Sequence, residues 1–159
     1  MGKLGLIGII DYGMGNLRSV SKAIEHMGGS VYVGSNHKKL ESASKLILPG
    51  VGAFGHGISE LKKRRLIPLI SEAAAQGKPI LGICLGLQLF FEESEETPGV
   101  KGLGIWKGSV VRFPFRQARK LKIPHMGWNE VRILKKHPLL ARVRNNNYFY
   151  FLTVSNGST

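Results

Sequence analysis

Short runs of consecutive apolar residues alternate with stretches of helical periodicity along the first two thirds of the chain. Four segments predict β-strands: residues 3–10 (KLGLIGII), 30–35 (SVYVGS), 45–55 (KLILPGVGAFG, a strand that runs into a glycine-rich loop) and 79–84 (PILGIC). Continuous apolar runs of this kind are typical of strands buried on both faces of a parallel sheet.

Helical periodicity separates these strands and predicts helices over residues 16–29, 57–75 and 85–93. The first helix has its stop signal in Gly28-Gly29. The candidate core positions of the first two helices are Leu17, Val20, Ile24, Met27, Ile58, Leu61, Ile67 and Ile70. Strands that alternate with helices at this spacing predict an α/β fold, with an open, mostly parallel sheet flanked by helices.

The pattern changes after Pro98. Residues 102–114, 127–134 and 146–151 look like strands joined by loops, without intervening helices. We find no internal repeat and no linker composition, so the sequence predicts one domain, over residues 1–151.

The overall composition is that of a globular protein: 159 residues, of which 43% are hydrophobic. No apolar run approaches the roughly 20 residues that span a bilayer, and the N-terminal run is read as a strand and not as a signal peptide. The single cysteine allows no internal disulfide, which favours a cytoplasmic location.

The formal net charge of +13 raises the question of nucleic-acid binding. The densest basic clusters, Leu61–Arg65 and Arg116–Lys122, lack the interleaved aromatic residues of a base-stacking platform. A solvated basic surface, or one that meets an acidic protein partner, is the plainer interpretation. Nucleic-acid binding stays open on charge alone.

Three predicted loops leave strands at the same edge of the sheet. They are Asp11–Asn16, Pro49–Gly55 and the turn at Cys84. Ligands of open parallel sheets bind at the carboxyl ends of the strands, so this edge is the candidate site.

The residues Gly82–Gly86 (GICLG) have the form Gly-x-Cys-x-Gly, the thiol counterpart of the nucleophile elbow. Such an elbow presents its nucleophile on a strained turn between a strand and a helix. The helix N-terminus there favours a thiolate, and its backbone N–H groups can stabilise an oxyanion. The alternative interpretation of Cys84 is a small buried core residue.

The loop Pro49–Gly52 (PGVG) follows the neighbouring strand. A glycine-rich loop in this position can direct a backbone N–H toward the same carbonyl oxygen that Cys84 would attack. An ordinary turn is the alternative for four residues taken alone.

Four segments together resemble the class I, triad-type glutamine amidotransferases: DYGMGNLRSV, LILPGVGAFG, GKPILGICLGLQLFFEESEE and KIPHMGWNEV. Within that family, DYGMGN and PHMGWN favour the branch formed by the glutaminase subunits of imidazole glycerol phosphate synthase, which serve histidine biosynthesis. The resemblance runs from about Lys3 to Phe151, and it implies a flavodoxin-like α/β fold.

The resemblance assigns roles to named residues. Cys84 would attack the side-chain carboxamide of glutamine, forming a thioester and ammonia. The oxyanion-hole residues would be Gly50, Val51, Gly52 and Leu85, with a reorientation of the Pro49–Gly52 backbone. Gln88 would contact bound glutamine, and Glu96 would contact its amino group.

The resemblance also implies a partner, a (β/α)₈-barrel cyclase subunit that forms a heterodimer with this chain and receives the ammonia. Asn16, Arg18 and His125 would lie on the partner side or on the ammonia path, although a structural role is the alternative for each. The resemblance implies no cofactor. No second His or Cys stands at ligand spacing from His125, so we expect no metal.

A cysteine nucleophile of this type needs a histidine base oriented by a carboxylate. The chain has His26, His37, His56, His125 and His137, and none matches the His-Pro-Glu pair of the family, because no Glu follows His137-Pro138. The resemblance places that pair beyond Phe151.

Residues 152–159 (LTVSNGST) depart from the family pattern, and a frameshift in the gene would explain them. The expectation is a C-terminally incomplete sheet without its last strands and a chain with little or no glutaminase activity. Two alternatives follow: a catalytically inactive chain that only docks the cyclase, or the glutaminase subunit of another amidotransferase.

Overall fold

The computed structural model describes residues 5–112, 125–153 and 155–158. The chain forms two compact units, one of Met1–Val111 with Gly157–Thr159 and the other of Arg112–Asn156. Each unit is considered separately below.

The larger unit is built on a parallel sheet whose strands are β1 (Ile7–Ile10), β2 (Val31–Gly34), β3 (Lys45–Gly50) and β4 (Ile80–Cys84). Their order is β2-β1-β3-β4, and every neighbouring pair is parallel. The prediction of a mostly parallel α/β sheet is confirmed.

Five α-helices belong to the described part of this unit: α1 (Leu17–His26), α2 (His37–Ser42), α3 (Phe54–Lys63), α4 (Leu66–Ala75) and α5 (Leu85–Gln88). The prediction of one helix over residues 57–75 is wrong. The chain breaks at Arg65, whose φ of 55° is left-handed, and a new helix begins. The break rotates the second segment, so Leu66 and Leu69 are buried while Ile67 is only partly buried.

Two other helix predictions need correction. Helix α2 was not predicted, although Asn36 marks its start: the Asn36 side chain accepts a hydrogen bond from the backbone N–H of Lys39 at 3.2 Å. The helix predicted over residues 85–93 ends at Gln88. After residues 89–92, the strand β5 (Glu93–Ser94) pairs with β6 (Ser109–Arg112).

The core of the larger unit lies between the sheet and the helices. Its fully buried side chains include Ile9, Ile10, Tyr12, Leu46, Leu48, Phe54, Leu61, Ile70, Leu85 and Phe90. Met27, a predicted core residue, is 74% exposed because it follows the last turn of α1. Strand β4 is also less buried than predicted, since it occupies an edge of the sheet.

The described part of the smaller unit contains an antiparallel pair, β7 (His125–Val131) and β8 (Asn147–Thr153), and a 3₁₀ turn at Pro138–Leu140. Trp128 and Tyr150 are exposed on this pair and pack edge to face, with ring centroids 5.7 Å apart. A last short strand, β9, spans Ser155–Ser158. The basic cluster Arg116–Lys122 and Pro124 lie outside the described residues.

No helix in the described residues combines the length and the apolar character that crossing a membrane requires.

Candidate active site

Cys84 stands at the junction of β4 and α5, as the Gly-x-Cys-x-Gly pattern predicts. Its backbone has φ 54° and ψ −116°, a conformation that is costly for a residue with a side chain. The residue is exposed, so the interpretation of Cys84 as a buried core thiol is wrong. An exposed thiol held on a strained strand-to-helix turn is the arrangement of a nucleophile elbow.

The two glycines of the motif are there for steric reasons. A Cβ on Gly86 would lie 1.7 Å from the carbonyl oxygen of Leu48, on the neighbouring strand. A Cβ on Gly82 would lie 2.5 Å from the Cα of Leu87, in the helix that turns back over the strand. Only residues without a side chain let the elbow pack this closely against the sheet.

The loop after β3 lies directly beside the elbow. Gly50 is paired in register with Cys84, so the last residues of the two strands are neighbours. A Cβ on Gly50 would lie 3.0 Å from both the backbone nitrogen of Gly86 and the Cβ of Leu85. The structure therefore brings Gly50 and Leu85 together next to the nucleophile. The next loop residues, Val51 and Gly52, are exposed.

The Asp11–Asn16 loop closes the site on the side of β1. The Asp11 carboxylate accepts a hydrogen bond from the Gly13 N–H at 2.9 Å, which fixes the turn. Gly15, at φ +115°, packs against the backbone of Pro49 and Gly50. Three loops from neighbouring strands thus converge at one edge of the sheet, as the sequence predicts.

Tyr12 is the buried member of this loop, with no exposed surface. Its hydroxyl lies 2.2 Å from the position that a Cβ on Gly50 would occupy, and it has no hydrogen-bond partner among the described residues. Burial raises the pKa of the Tyr12 hydroxyl well above its usual value, and the negative charge of an ionised Cys84 raises this pKa further. Tyr12 is not predictable as a site residue from the sequence, because an aromatic residue in a loop carries no pattern of its own.

Glu96 and Thr97 hold the first turn of α3, directly after the Pro49–Gly52 loop. The N-cap residue of that helix, Ala53, has no side-chain group that can accept a hydrogen bond. Instead a Glu96 carboxylate oxygen accepts from the Phe54 N–H at 3.0 Å, and Thr97 Oγ1 accepts from the Gly55 N–H at 3.2 Å. These two side chains therefore provide the cap from a segment 42 residues away.

Gln88 is the last residue of α5 and is partly buried. It lies one helical turn after Cys84, as predicted. Because α5 is only four residues long, its stabilisation of a thiolate is that of a single turn and not of a full helix dipole.

No histidine base is bonded to Cys84 in the described part of the larger unit. In the described residues of the larger unit, none of His26, His37 and His56 is hydrogen-bonded to Cys84. His56 instead lies 3.7 Å from the Glu60 carboxylate, one turn along α3.

The predicted partner-side residues have identifiable local contacts. Asn16 caps α1 by accepting from the Ser19 N–H at 3.1 Å, and Arg18 is exposed in the first turn of that helix. In the smaller unit, the Nε2 atom of His125 lies 2.7 Å from Nδ2 of Asn129, on the same face of β7. Asn16 and His125 thus each have a structural role, whatever else they do.

The described residues contain no cluster of three or more His, Cys, Asp or Glu side chains that could hold a metal ion.

Residues 8–152 match the family described as glutamine amidotransferase class-I. The chain belongs to the class-I glutamine amidotransferase family.

Curated relatives are similar over most of the chain. The imidazole glycerol phosphate synthase subunit HisH of Geobacillus kaustophilus is 48% identical over 147 residues, covering 91% of this chain and 70% of the relative. The subunit HisH of Methanocaldococcus jannaschii is 47% identical, with 92% and 71% covered. The Bacillus subtilis subunit HisH is 46% identical, with 92% and 70% covered.

Solved structures share the fold of this glutamine amidotransferase chain at low identity. A crystal structure of a glutamine amidotransferase superposes with a TM-score of 0.70 at 16% identity, covering 93% of this chain and 71% of the other. The structure of PurLQS from Thermotoga maritima gives a TM-score of 0.65 at 20% identity, with 96% and 66% covered. These matches confirm the predicted flavodoxin-like α/β architecture.

Proposed function

We propose that this chain is the glutaminase subunit of an imidazole glycerol phosphate synthase, which hydrolyses glutamine to glutamate and supplies the ammonia to a cyclase subunit. The observation that carries the proposal is Cys84, strained and exposed at the end of β4, with Gly50 beside it in register. The identity of 46–48% to three HisH subunits supports the choice of synthase.

In the proposed reaction, the Cys84 sulfur attacks the carbonyl carbon of the glutamine side chain, and the carbonyl oxygen becomes an oxyanion. The backbone N–H of Leu85 and one N–H of the Gly50–Gly52 loop donate hydrogen bonds to it. The C–N bond then breaks, ammonia leaves with the proton that the Cys84 thiol gave up, and a thioester remains. Water hydrolyses the thioester, releasing glutamate and restoring the thiol.

Two residues are proposed to bind the substrate. Gln88 follows the nucleophile by one helical turn and contacts the glutamine. Glu96 receives the amino group with the carboxylate oxygen that does not cap Phe54. Glutamine at Glu96 would then contact the same side chain that holds the start of α3, next to the loop with the oxyanion donors.

The proposed partner is a (β/α)₈-barrel cyclase subunit in a cytoplasmic heterodimer, and neither nucleic acid nor membrane is a proposed partner. Asn16 and Arg18, at the start of α1, and His125, at the start of β7, are proposed to face the partner or the ammonia path. No cofactor and no metal are proposed.

The test is glutamate release from glutamine by the purified chain, alone and with a barrel cyclase subunit and its nucleotide ligand. Release that depends on the cyclase and disappears in Cys84→Ala would support the proposal. The matched control is Ser44→Ala, which removes an exposed hydroxyl bonded to the Leu6 carbonyl, away from the elbow.

A second candidate function is docking without catalysis, and it is favoured because, among the described residues, no histidine of the larger unit is hydrogen-bonded to Cys84. Binding to the cyclase in gel filtration, with glutamate release equal to that of Cys84→Ala, would support docking only. The absence of both binding and glutamate release would contradict both functions.

A further inference from the structure

The proposed reaction leaves the buried hydroxyl of Tyr12 without a role. The side chain has no exposed surface, and its hydroxyl has no hydrogen-bond partner among the described residues. A buried hydroxyl without a partner costs free energy, and most buried hydroxyls in proteins are paired. Such a group at a reaction centre therefore requires an explanation.

The Tyr12 hydroxyl reaches the elbow through the gap left by Gly50. It lies 2.2 Å from the position that a Cβ on Gly50 would take, so any other residue at position 50 would collide with it. The Cβ of Leu85 and the nitrogen of Gly86 lie 3.0 Å from that same position. The hydroxyl is thus close to Gly50 and to the two residues that follow Cys84.

The charged groups around the hydroxyl are engaged with other partners. The Asp11 carboxylate accepts from Gly13, and Glu96 accepts from Phe54. The Arg64 guanidinium, which lies against Gly13, is paired with Glu60. The Tyr12 hydroxyl is different, because it can rotate about its C–O bond and turn its proton toward a new negative charge.

We propose that Tyr12 is a positioning residue of the elbow, whose hydroxyl dipole stabilises the negative charge carried by Cys84 when the thiol ionises. The inference rests on the proposed function of Cys84 as the nucleophile. The effect of burial and of the Cys84 charge on the pKa of Tyr12 agrees with this geometry, since it requires the two groups to be close. The hydroxyl is fully buried and Cys84 is exposed, so the interaction is that of a buried, unpaired dipole with a charge at the protein surface.

The test is the rate of Cys84 alkylation by iodoacetamide as a function of pH, in the full chain and in Tyr12→Phe. Cys84 is the only cysteine, so mass spectrometry reports on this thiol alone. We expect the midpoint of the pH–rate profile to move up by roughly 0.3 to 1 unit in Tyr12→Phe, so that alkylation at pH 7 slows by about twofold to tenfold. The urea midpoint should stay unchanged or rise, because the variant removes an unpaired buried hydroxyl.

The matched control is Tyr32→Phe. That hydroxyl is on β2, at the opposite edge of the sheet from β4, and it accepts a hydrogen bond from the Asn36 N–H at 3.1 Å. Its removal should lower the urea midpoint and leave the alkylation profile in place.

An unmoved profile in Tyr12→Phe would overturn the proposal, and so would a lower urea midpoint, since that would mean that the hydroxyl has a structural partner. Neither readout requires turnover. The failure of the proposed glutaminase function, seen as no glutamate release, is therefore distinguishable from the failure of this inference.

Discussion

Gly86 packs against the carbonyl of Leu48 so closely that a Cβ would lie 1.7 Å from the carbonyl oxygen. The contact joins the residue two positions after Cys84 to β3, the strand that runs into the Pro49–Gly52 loop. Backbone therefore meets backbone between α5 and β3, and the elbow cannot move away from the loop without losing this packing.

The substitution Gly86→Ala should open this contact. The added Cβ would collide with the backbone carbonyl of Leu48, which cannot move aside as a flexible side chain would. We therefore expect a loss of at least about 2 kcal/mol in the free energy of unfolding. Urea denaturation followed by circular dichroism measures this loss.

The control for Gly86→Ala is Gly28→Ala. Gly28 has φ +78° but no atom within 4 Å of an added Cβ, so it tests backbone strain without collision. We expect a loss of about 1 kcal/mol there. A loss for Gly86→Ala no larger than that for Gly28→Ala would show that the collision with Leu48 costs no more than the backbone strain of an alanine at position 28.

The strained backbone of Cys84 predicts that this residue lowers the stability of the fold. A glycine adopts φ 54° and ψ −116° more readily than alanine does, so Cys84→Gly should be more stable than Cys84→Ala, by about 1 kcal/mol after the entropy of glycine is deducted. Thermal unfolding of the two variants measures the difference.

The control is a position with ordinary helical backbone, where glycine should be less stable than alanine. Ala23 lies in the middle of α1 and is exposed, so Ala23→Gly should lose about 1 kcal/mol. A Cys84→Gly variant less stable than Cys84→Ala would contradict strain at the elbow.

Because Thr97 caps α3, its replacement should change both the free energy of unfolding and the reactivity of Cys84. Thr97→Val keeps the shape of the side chain but removes the oxygen that accepts from the Gly55 N–H, and we expect a loss of about 1 kcal/mol. The start of α3 directly follows the Pro49–Gly52 loop, which lies beside Cys84. Loss of the cap should therefore displace this loop, and a chloroketone analogue of glutamine should alkylate Cys84 more slowly in Thr97→Val than in the parent chain. Thr97→Ser should restore both properties.

The control for Thr97→Val is Asn36→Ala, which removes the cap of α2. That variant should lose similar stability without slowing the alkylation of Cys84. Equal slowing in the two variants would mean that lower stability alone, and not the position of the loop, controls the reactivity of the thiol.

The sequence predicted the parts of the site that are contiguous in the chain. The Gly-x-Cys-x-Gly spacing located the elbow, and the apolar runs located the strands whose ends bring Gly50 beside Cys84. Both depend on local patterns, which are readable without tertiary contacts.

Contacts between distant segments were not predictable in this way. The cap that Glu96 and Thr97 provide for α3 joins residues 42 positions apart, and the approach of Tyr12 to Gly50 crosses from one strand end to the next. The break at Arg65 was missed for another reason: the apolar spacing continues across it, and only the positive φ of Arg65 shows the interruption.

Glu60, in α3, should make the stability of the chain depend on pH. Glu60 is paired with Lys63 at 2.6 Å and with Arg64, and these hydrogen bonds lower the pKa of its carboxyl from 4.5 to about 2. A lowered pKa means that folding favours the ionised form. The resulting stability is present above pH 4.5 and is lost as the pH falls toward 2.

The variant Glu60→Gln removes this charge at every pH. We expect it to be less stable than the parent chain at pH 7, and the gap in urea midpoint should narrow between pH 4.5 and pH 2, because the parent carboxyl then becomes neutral as well. Glu25→Gln is the control, since the exposed pair of Glu25 with Lys22 contributes little. A gap for Glu60→Gln that stays constant down to pH 2 would show that the ionised carboxyl is not what stabilises the end of α3.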